Sequence, residues 1–105
     1  MSVQPTQGPF RGLLARMTAD SLQTSGLDNT TLMSVRLAAL AAVDAPPASY
    51  LLNLGAAAEI GLDSEDIRGI LIAVAPIIGT ARAAAALTNM VEALGLEMDL
   101  EDMAE

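Results

Sequence analysis

Three uncharged polar side chains, Ser49, Tyr50 and Asn53, interrupt a stretch otherwise rich in Leu and Ala, Pro46 to Gly61, PPASYLLNLGAAAEIG. On a helix, Ser49 and Asn53 share a face at i, i+4, and Tyr50 joins Asn53 at i, i+3. A hydroxyl, a phenol and an amide can orient a small polar ligand, but none of them is a ready general base. The same residues have a structural reading. Ser49 can cap or back-bond a helix, Tyr50 can be an interface aromatic, and Asn53 can satisfy buried polar groups across a subunit contact. The structural reading carries more weight, because a constellation without a base is weak evidence for catalysis.

The rest of the chemical inventory is short. The chain has no Cys, no His and no Lys. Disulfides, thiol redox chemistry, imidazole or thiolate metal sites and side-chain Schiff bases are therefore excluded. Any side-chain catalysis must run on Asp, Glu, Ser, Thr, Tyr, Arg or Asn. No metal and no cofactor is expected. Asp99 and Asp102 are the nearest thing to a calcium pair, but no glycine stands at the turn of a calcium loop. Glu65 and Asp66 sit at a helix start and should be solvated. Arg36, the one charge inside an apolar segment, needs a carboxylate if its guanidinium is buried. Glu59, Asp44 and Glu92 are candidates, most naturally across an interface. Arg82 stands near a helix start, where the dipole gives a cation no help, so it too calls for a specific partner.

These residues must be positioned by a small chain. At 105 residues it makes one domain, yet 52% of it is hydrophobic and 17% charged. A domain of this size buries a modest fraction of its surface. Apolar surface beyond one core usually ends in a subunit interface, so a homo-oligomer is expected. The net charge is −8, and the five arginines are scattered, which argues against nucleic acid and anionic membranes as partners. The start shows no basic, apolar leader, and the longest apolar run, Gly69 to Gly79, is too short to span a bilayer. The expected location is cytoplasmic.

Periodicity divides the chain into a flexible N-terminus over residues 1–8, an all-α domain over 9–95 and an acidic tail over 96–105. Five helices are expected and no strand. The first, Pro9 to Leu22, has a narrow stripe of Phe10, Leu13, Leu14 and Met17, suited to a neighbouring subunit rather than to its own core. The second starts at an Asn29 or Thr30 cap and runs to Val43, ended by Asp44 and Pro46-Pro47. The third is the Pro46–Gly61 stretch, with proline at its start and glycine at its stop. The fourth is capped by Asp63 or Ser64, is apolar all round after Arg68 and so should be buried on every side, with a kink or early stop at Pro76. The fifth is capped by Thr80 and ends at Gly95. The tail holds five acids in nine residues from Glu97 and reads as mobile, or as an arm on a neighbour. GLD recurs at Gly26 and Gly61 before helices, an echo that shared capping chemistry explains better than duplication.

From Leu37 to Leu87, LAALAAVDAPPASYLLNLGAAAEIGLDSEDIRGILIAVAPIIGTARAAAAL resembles the carboxymuconolactone decarboxylase and alkylhydroperoxidase D-like family. GLDSEDI at Gly61 and APIIGTARAAAAL at Ala75 carry most of the likeness, over about half the chain. The resemblance implies an all-α bundle assembling as trimers or hexamers. It also implies that Arg36 and Arg82 approach the Ser49–Tyr50–Asn53 face, where an arginine would grip a small carboxylate or lactone while the amide and phenol orient it. The family's redox branch uses Cys-x-x-Cys with a His four residues later. The matching positions here hold Pro46, Ser49 and Asn53. No acid stands between Leu32 and Val43, where the family places one on the preceding helix. Thiol peroxidase chemistry is therefore not expected. The decarboxylase branch needs a His where Asn53 stands. The expected function is that of an oligomeric assembly or binding module, or else of a non-thiol enzyme acting on a small organic acid or lactone. The acidic tail as a dock for a basic partner is a third reading.

Overall fold

A computed structural model describes the backbone of residues 7–104 and the side-chain surroundings of residues 8–94. Of the expected flexible N-terminus over residues 1–8, residues 1–6 lie outside the described residues, as do the side chains of the acidic tail, whereas Gln7 and Gly8 open the first helix. The rest is all-α: α1 Gln7–Thr24, α2 Asn29–Ala42, α3 Pro47–Glu59, α4 Ser64–Ile78 and α5 Thr80–Ala104. None of the described helices is long and apolar enough to cross a membrane.

The helix ends follow from local chemistry, with several corrections. The α2 cap is Asp28, not Asn29 or Thr30. Its carboxylate accepts the Thr31 N–H at 2.7 Å, and this bond, reinforced by the Thr31 side chain, holds the Asp28 pKa below its ordinary value. A carboxylate is the stronger acceptor at the positive end of a helix dipole. Asp63 caps α4 in a reciprocal box: it accepts the Asp66 N–H at 2.9 Å, while Asp66 accepts the Asp63 N–H at 3.0 Å. Pro46 and Pro47 open α3 with no side-chain cap. Pro76 neither ends α4 nor shortens it, because it removes a single N–H from a helix that runs on to Ile78. The stop is Gly79, at φ 94°. Thr80 lies inside α5 rather than before it, and the Ala83 N–H reaches Gly79 O at 3.1 Å. Gly95 does not stop α5. Leu, Glu and Met follow it, and these helix formers carry the backbone to Ala104.

α2 and α3 end alike. Asp44 N–H bonds Ala41 O and Ala45 N–H bonds Leu40 O; Gly61 N–H bonds Ala58 O and Leu62 N–H bonds Ala57 O. Both are Schellman turns, which need a left-handed residue after the helix. Gly61 supplies it at φ 90°, while Asp44 is forced to φ 55°.

Packing places α2 and α5 against each other, and each against both α3 and α4. α3 and α4 make no comparable contact with one another, so they flank the α2–α5 pair. The core is Met33, Leu37 and Ala41 of α2, Tyr50, Leu54 and Ala57 of α3, Leu71 of α4, and Ala86, Met90 and Ala93 of α5. Small residues at Ala41, Ala57, Ala86 and Ala93 bring the backbones close. α4 overturns the expectation of burial on every side. Leu71 is its one buried residue, and Ile72 and Ile77 are 65% and 86% exposed. α1 packs substantially on no other helix, and its stripe of Phe10, Leu13, Leu14 and Met17 faces solvent.

Candidate functional site

The five residues singled out from the sequence do not form one site. Arg36, from the middle of α2, and Asn53, from the middle of α3, line the same open concavity of about 330 Å³, together with Thr18, Ala39 and Leu40. Arg36 Nη2 donates to Ser21 Oγ of α1 at 3.2 Å. It has no carboxylate partner among the described residues, which corrects the expected pairing with Glu59, Asp44 or Glu92. A half-exposed guanidinium stays hydrated, so it does not need the counter-charge that a buried one would. Asn53 Nδ2 donates to Ser49 O at 3.0 Å, one turn back along α3. This ties the amide to its own helix. Ser49 is half-buried, and its N–H closes the first turn on Pro46 O at 3.0 Å.

Tyr50 points the other way. It is fully buried, in register with Leu54 and Ala57 on the core face of α3, which corrects its reading as an interface aromatic. Its hydroxyl has no hydrogen-bond partner among the described residues. Burial, and after it the negative charge of Asp44, raises the phenol pKa above 10.0. The phenol therefore stays neutral at any ordinary pH and is neither a base nor an acid presented to a ligand.

Arg82 belongs to a third place. Its Nη1 donates to Ala42 O at 2.6 Å, the last residue of α2. A cation at the carbonyl end of a helix meets the favourable end of the dipole. The partner that Arg82 is expected to need is thus the C-terminus of another helix. Asn89 does similar work nearby, donating from Nδ2 to Ala45 O at 3.2 Å. Arg82 and Asn89 together clamp α5 to the turn between α2 and α3. Asn89 is not among the residues singled out from the sequence; the available signal is an amide three residues after Ala86 and four before Ala93, on the core face of α5.

Chemically, the Arg36–Asn53 concavity offers one cation and one amide. Such a pair can hold a small anion. It contains no group able to take a proton near neutrality. No group of three or more His, Cys, Asp or Glu able to hold a metal occurs among the described residues. A second depression, of similar volume but apolar, runs along α5. It measures about 330 Å³ and is lined by Leu54 of α3, Ile67 and Arg68 of α4, and Leu87, Met90 and Val91 of α5.

No family model, no curated protein and no solved structure matches the chain.

Proposed function

We propose that this chain is a self-assembling helical module of the carboxymuconolactone decarboxylase-like type that carries no thiol peroxidase chemistry and works by assembly or binding. The observation that carries the proposal is its uncovered apolar surface. The chain exposes 7319 Å², against about 5,500 Å² for a folded monomer of 10.8 kDa. Its radius of gyration is 15.1 Å, against about 13 Å for a compact chain of 100 residues. Phe10, Met17, Ile72, Ile77 and Val91 are all more than half exposed. Surface of this kind marks protein contact. Light scattering coupled to size exclusion, at concentrations from 1 to 100 μM by ~tenfold steps, tests the proposal. A trimer or hexamer is the expected result, and a monomer throughout the range overturns it.

A second reading rests on the Arg36–Asn53 concavity, which fits a small carboxylate or lactone bound by the guanidinium. A thermal-shift screen against such compounds tests it. Stabilisation by any of them that is lost in Arg36→Ala and Asn53→Ala supports a ligand site and moves the reading toward a non-thiol enzyme. No shift for any compound removes it.

A further inference from the structure

Resting on the assembly reading, we infer that α1 of one copy lies in the apolar groove along α5 of a second copy. Three observations on different parts of the chain converge on this. The first is the placement of α1. Among the described residues, its one side-chain bond to another helix is the Ser21–Arg36 contact near its C-terminal end. Phe10 lies eleven residues before Ser21, about 16 Å along the axis at the rise of an α-helix. The stripe of Phe10, Leu13, Leu14 and Met17 is exposed along its length. A helix of this kind gains its stability from burying such a stripe, and nothing among the described residues of its own chain covers it.

The second is the groove. Leu54, Ile67, Leu87, Met90, Val91 and Leu94 line a depression of about 330 Å³. Leu87 and Val91 stand one turn apart along it and are more than half exposed. Side chains at i, i+3, i+4 and i+7 of an incoming helix match a groove of this type.

The third is charge. Residues 7–24 carry Arg11, Arg16 and Asp20, a net of +1, in a chain of net −8, which leaves −9 for the remainder. At 100° per residue, Arg11 and Arg16 fall on opposite flanks of the apolar stripe. Glu65 stands at the groove edge, and Arg68 beside it matches Asp20. A net-positive α1 and an acidic remainder belong to the same molecule, so a second copy is a complementary partner. Each copy donates one helix and accepts one, a head-to-tail arrangement that closes as a ring or as a reciprocal pair.

The cysteine-free sequence makes the test direct. Full-length chains carrying either Leu13→Cys or Met17→Cys are mixed with chains carrying Leu87→Cys, Val91→Cys or Leu94→Cys, then oxidised. Any mixed disulfide must join two copies. The three groove positions span two turns, so the narrow Cα separation a disulfide tolerates is sampled across registers. Val43→Cys, exposed at the far end of α2, is the control acceptor. The expected result is mixed covalent dimer at one or more groove positions in at least tenfold excess over Val43→Cys, and loss of assembly in Phe10→Asp with helical circular dichroism retained. An oligomer whose groove pairs cross-link no better than the control overturns the docking of α1 and leaves self-assembly standing. A chain that stays monomeric up to about 100 μM overturns both.

Discussion

α3 and α4 flank the same α2–α5 pair, and their sequences misstate which is the more buried. α3 carries Ser49, Tyr50, Asn53 and Glu59, yet sinks Tyr50, Leu54 and Ala57 into the core. α4 has no polar side chain from Gly69 to Ile78, yet Leu71 is its one buried residue. The two helices are also held differently. α4 has a capping box at one end and a glycine at the other. α3 has Pro46 and Pro47 at its start and no side-chain cap, so it depends on what it packs against. Hydropathy measures how much surface a helix must hide; topology decides how much of it one chain can hide.

The largest expected effect separates the two helices. Tyr50→Ala empties the centre of α3 and should destabilise the fold by about 3–5 kcal/mol in urea unfolding. Ile77→Ala, on the open face of α4, should change the stability of an isolated chain by less than about 0.5 kcal/mol. Ile77→Asp should leave helical content intact while weakening self-association. Equal destabilisation by Tyr50→Ala and Ile77→Ala under dissociating conditions would erase the distinction between the helices.

The same contrast shows how far the sequence speaks for itself. Helix existence is legible because Pro46-Pro47, Gly61, Asp63 and Gly79 each impose a specific backbone event. The α2 cap falls one or two residues from its expected place because Asp28, Asn29 and Thr30 are all competent, and only geometry decides among them. The i, i+3 spacing pairs Tyr50 with Asn53, whereas its companions are Leu54 and Ala57 at i+4 and i+7, the core-facing row. The Arg36–Asn53 neighbourhood is implied by resemblance alone, since nothing in the spacing of residues 17 apart brings them together. Arg82 does need a partner, as its position implies, but a helix terminus is not a side chain and leaves no signature in the sequence. The exposure of α4 is unreadable for a different reason: an all-round apolar helix announces buried faces without saying which chain buries them.

The two Schellman turns, one closing α2 and one closing α3, give a matched pair of backbone tests. Gly61 sits at φ 90° with nothing within 4 Å of the place a Cβ would occupy. Gly61→Ala therefore meets backbone strain alone and should cost about 1–2 kcal/mol. Asp44 endures a similar conformation with a side chain, at φ 55°. Asp44→Gly should stabilise by about 0.5–1 kcal/mol. Thermal unfolding of the pair checks both signs. Opposite shifts are expected, and shifts of the same sign would mean that the side chain of Asp44, not its backbone, sets the turn.

At the start of α4 the prediction is smaller. Asp63→Ala removes the acceptor for the Asp66 N–H and should lower stability by about 1 kcal/mol. Asp63→Asn, which still accepts that bond, should recover most of the loss. Because the lost cap belongs to α4, the Ala variant should also raise amide hydrogen exchange in α4 before that in α3. Exchange rising first in α3 would show that packing governs both helices alike.

Tyr50 gives the finest discrimination, because its ring and its hydroxyl pull in opposite directions. The ring fills the core; the hydroxyl is buried without a partner among the described residues. Removing an unpaired buried hydroxyl while keeping the ring is close to neutral or stabilising, by up to about 1 kcal/mol. Tyr50→Phe should thus be at least as stable as the parent at pH 7. Burial and Asp44 hold the folded phenol pKa above the ordinary 10.0, so at high pH the unfolded chain releases this proton before the folded chain does. The unfolded state then binds fewer protons, and stability falls as pH rises through 10 toward the folded pKa. Tyr50 is the sole tyrosine, so Tyr50→Phe deletes this alkaline loss outright and its advantage over the parent should widen above pH 10. Phenolate absorbance appearing together with unfolding, rather than before it, ties the titration to the buried site. A parent chain that ionises Tyr50 while still folded would place the hydroxyl in contact with water, and α3 would then lose its claim to be the dry side of the bundle.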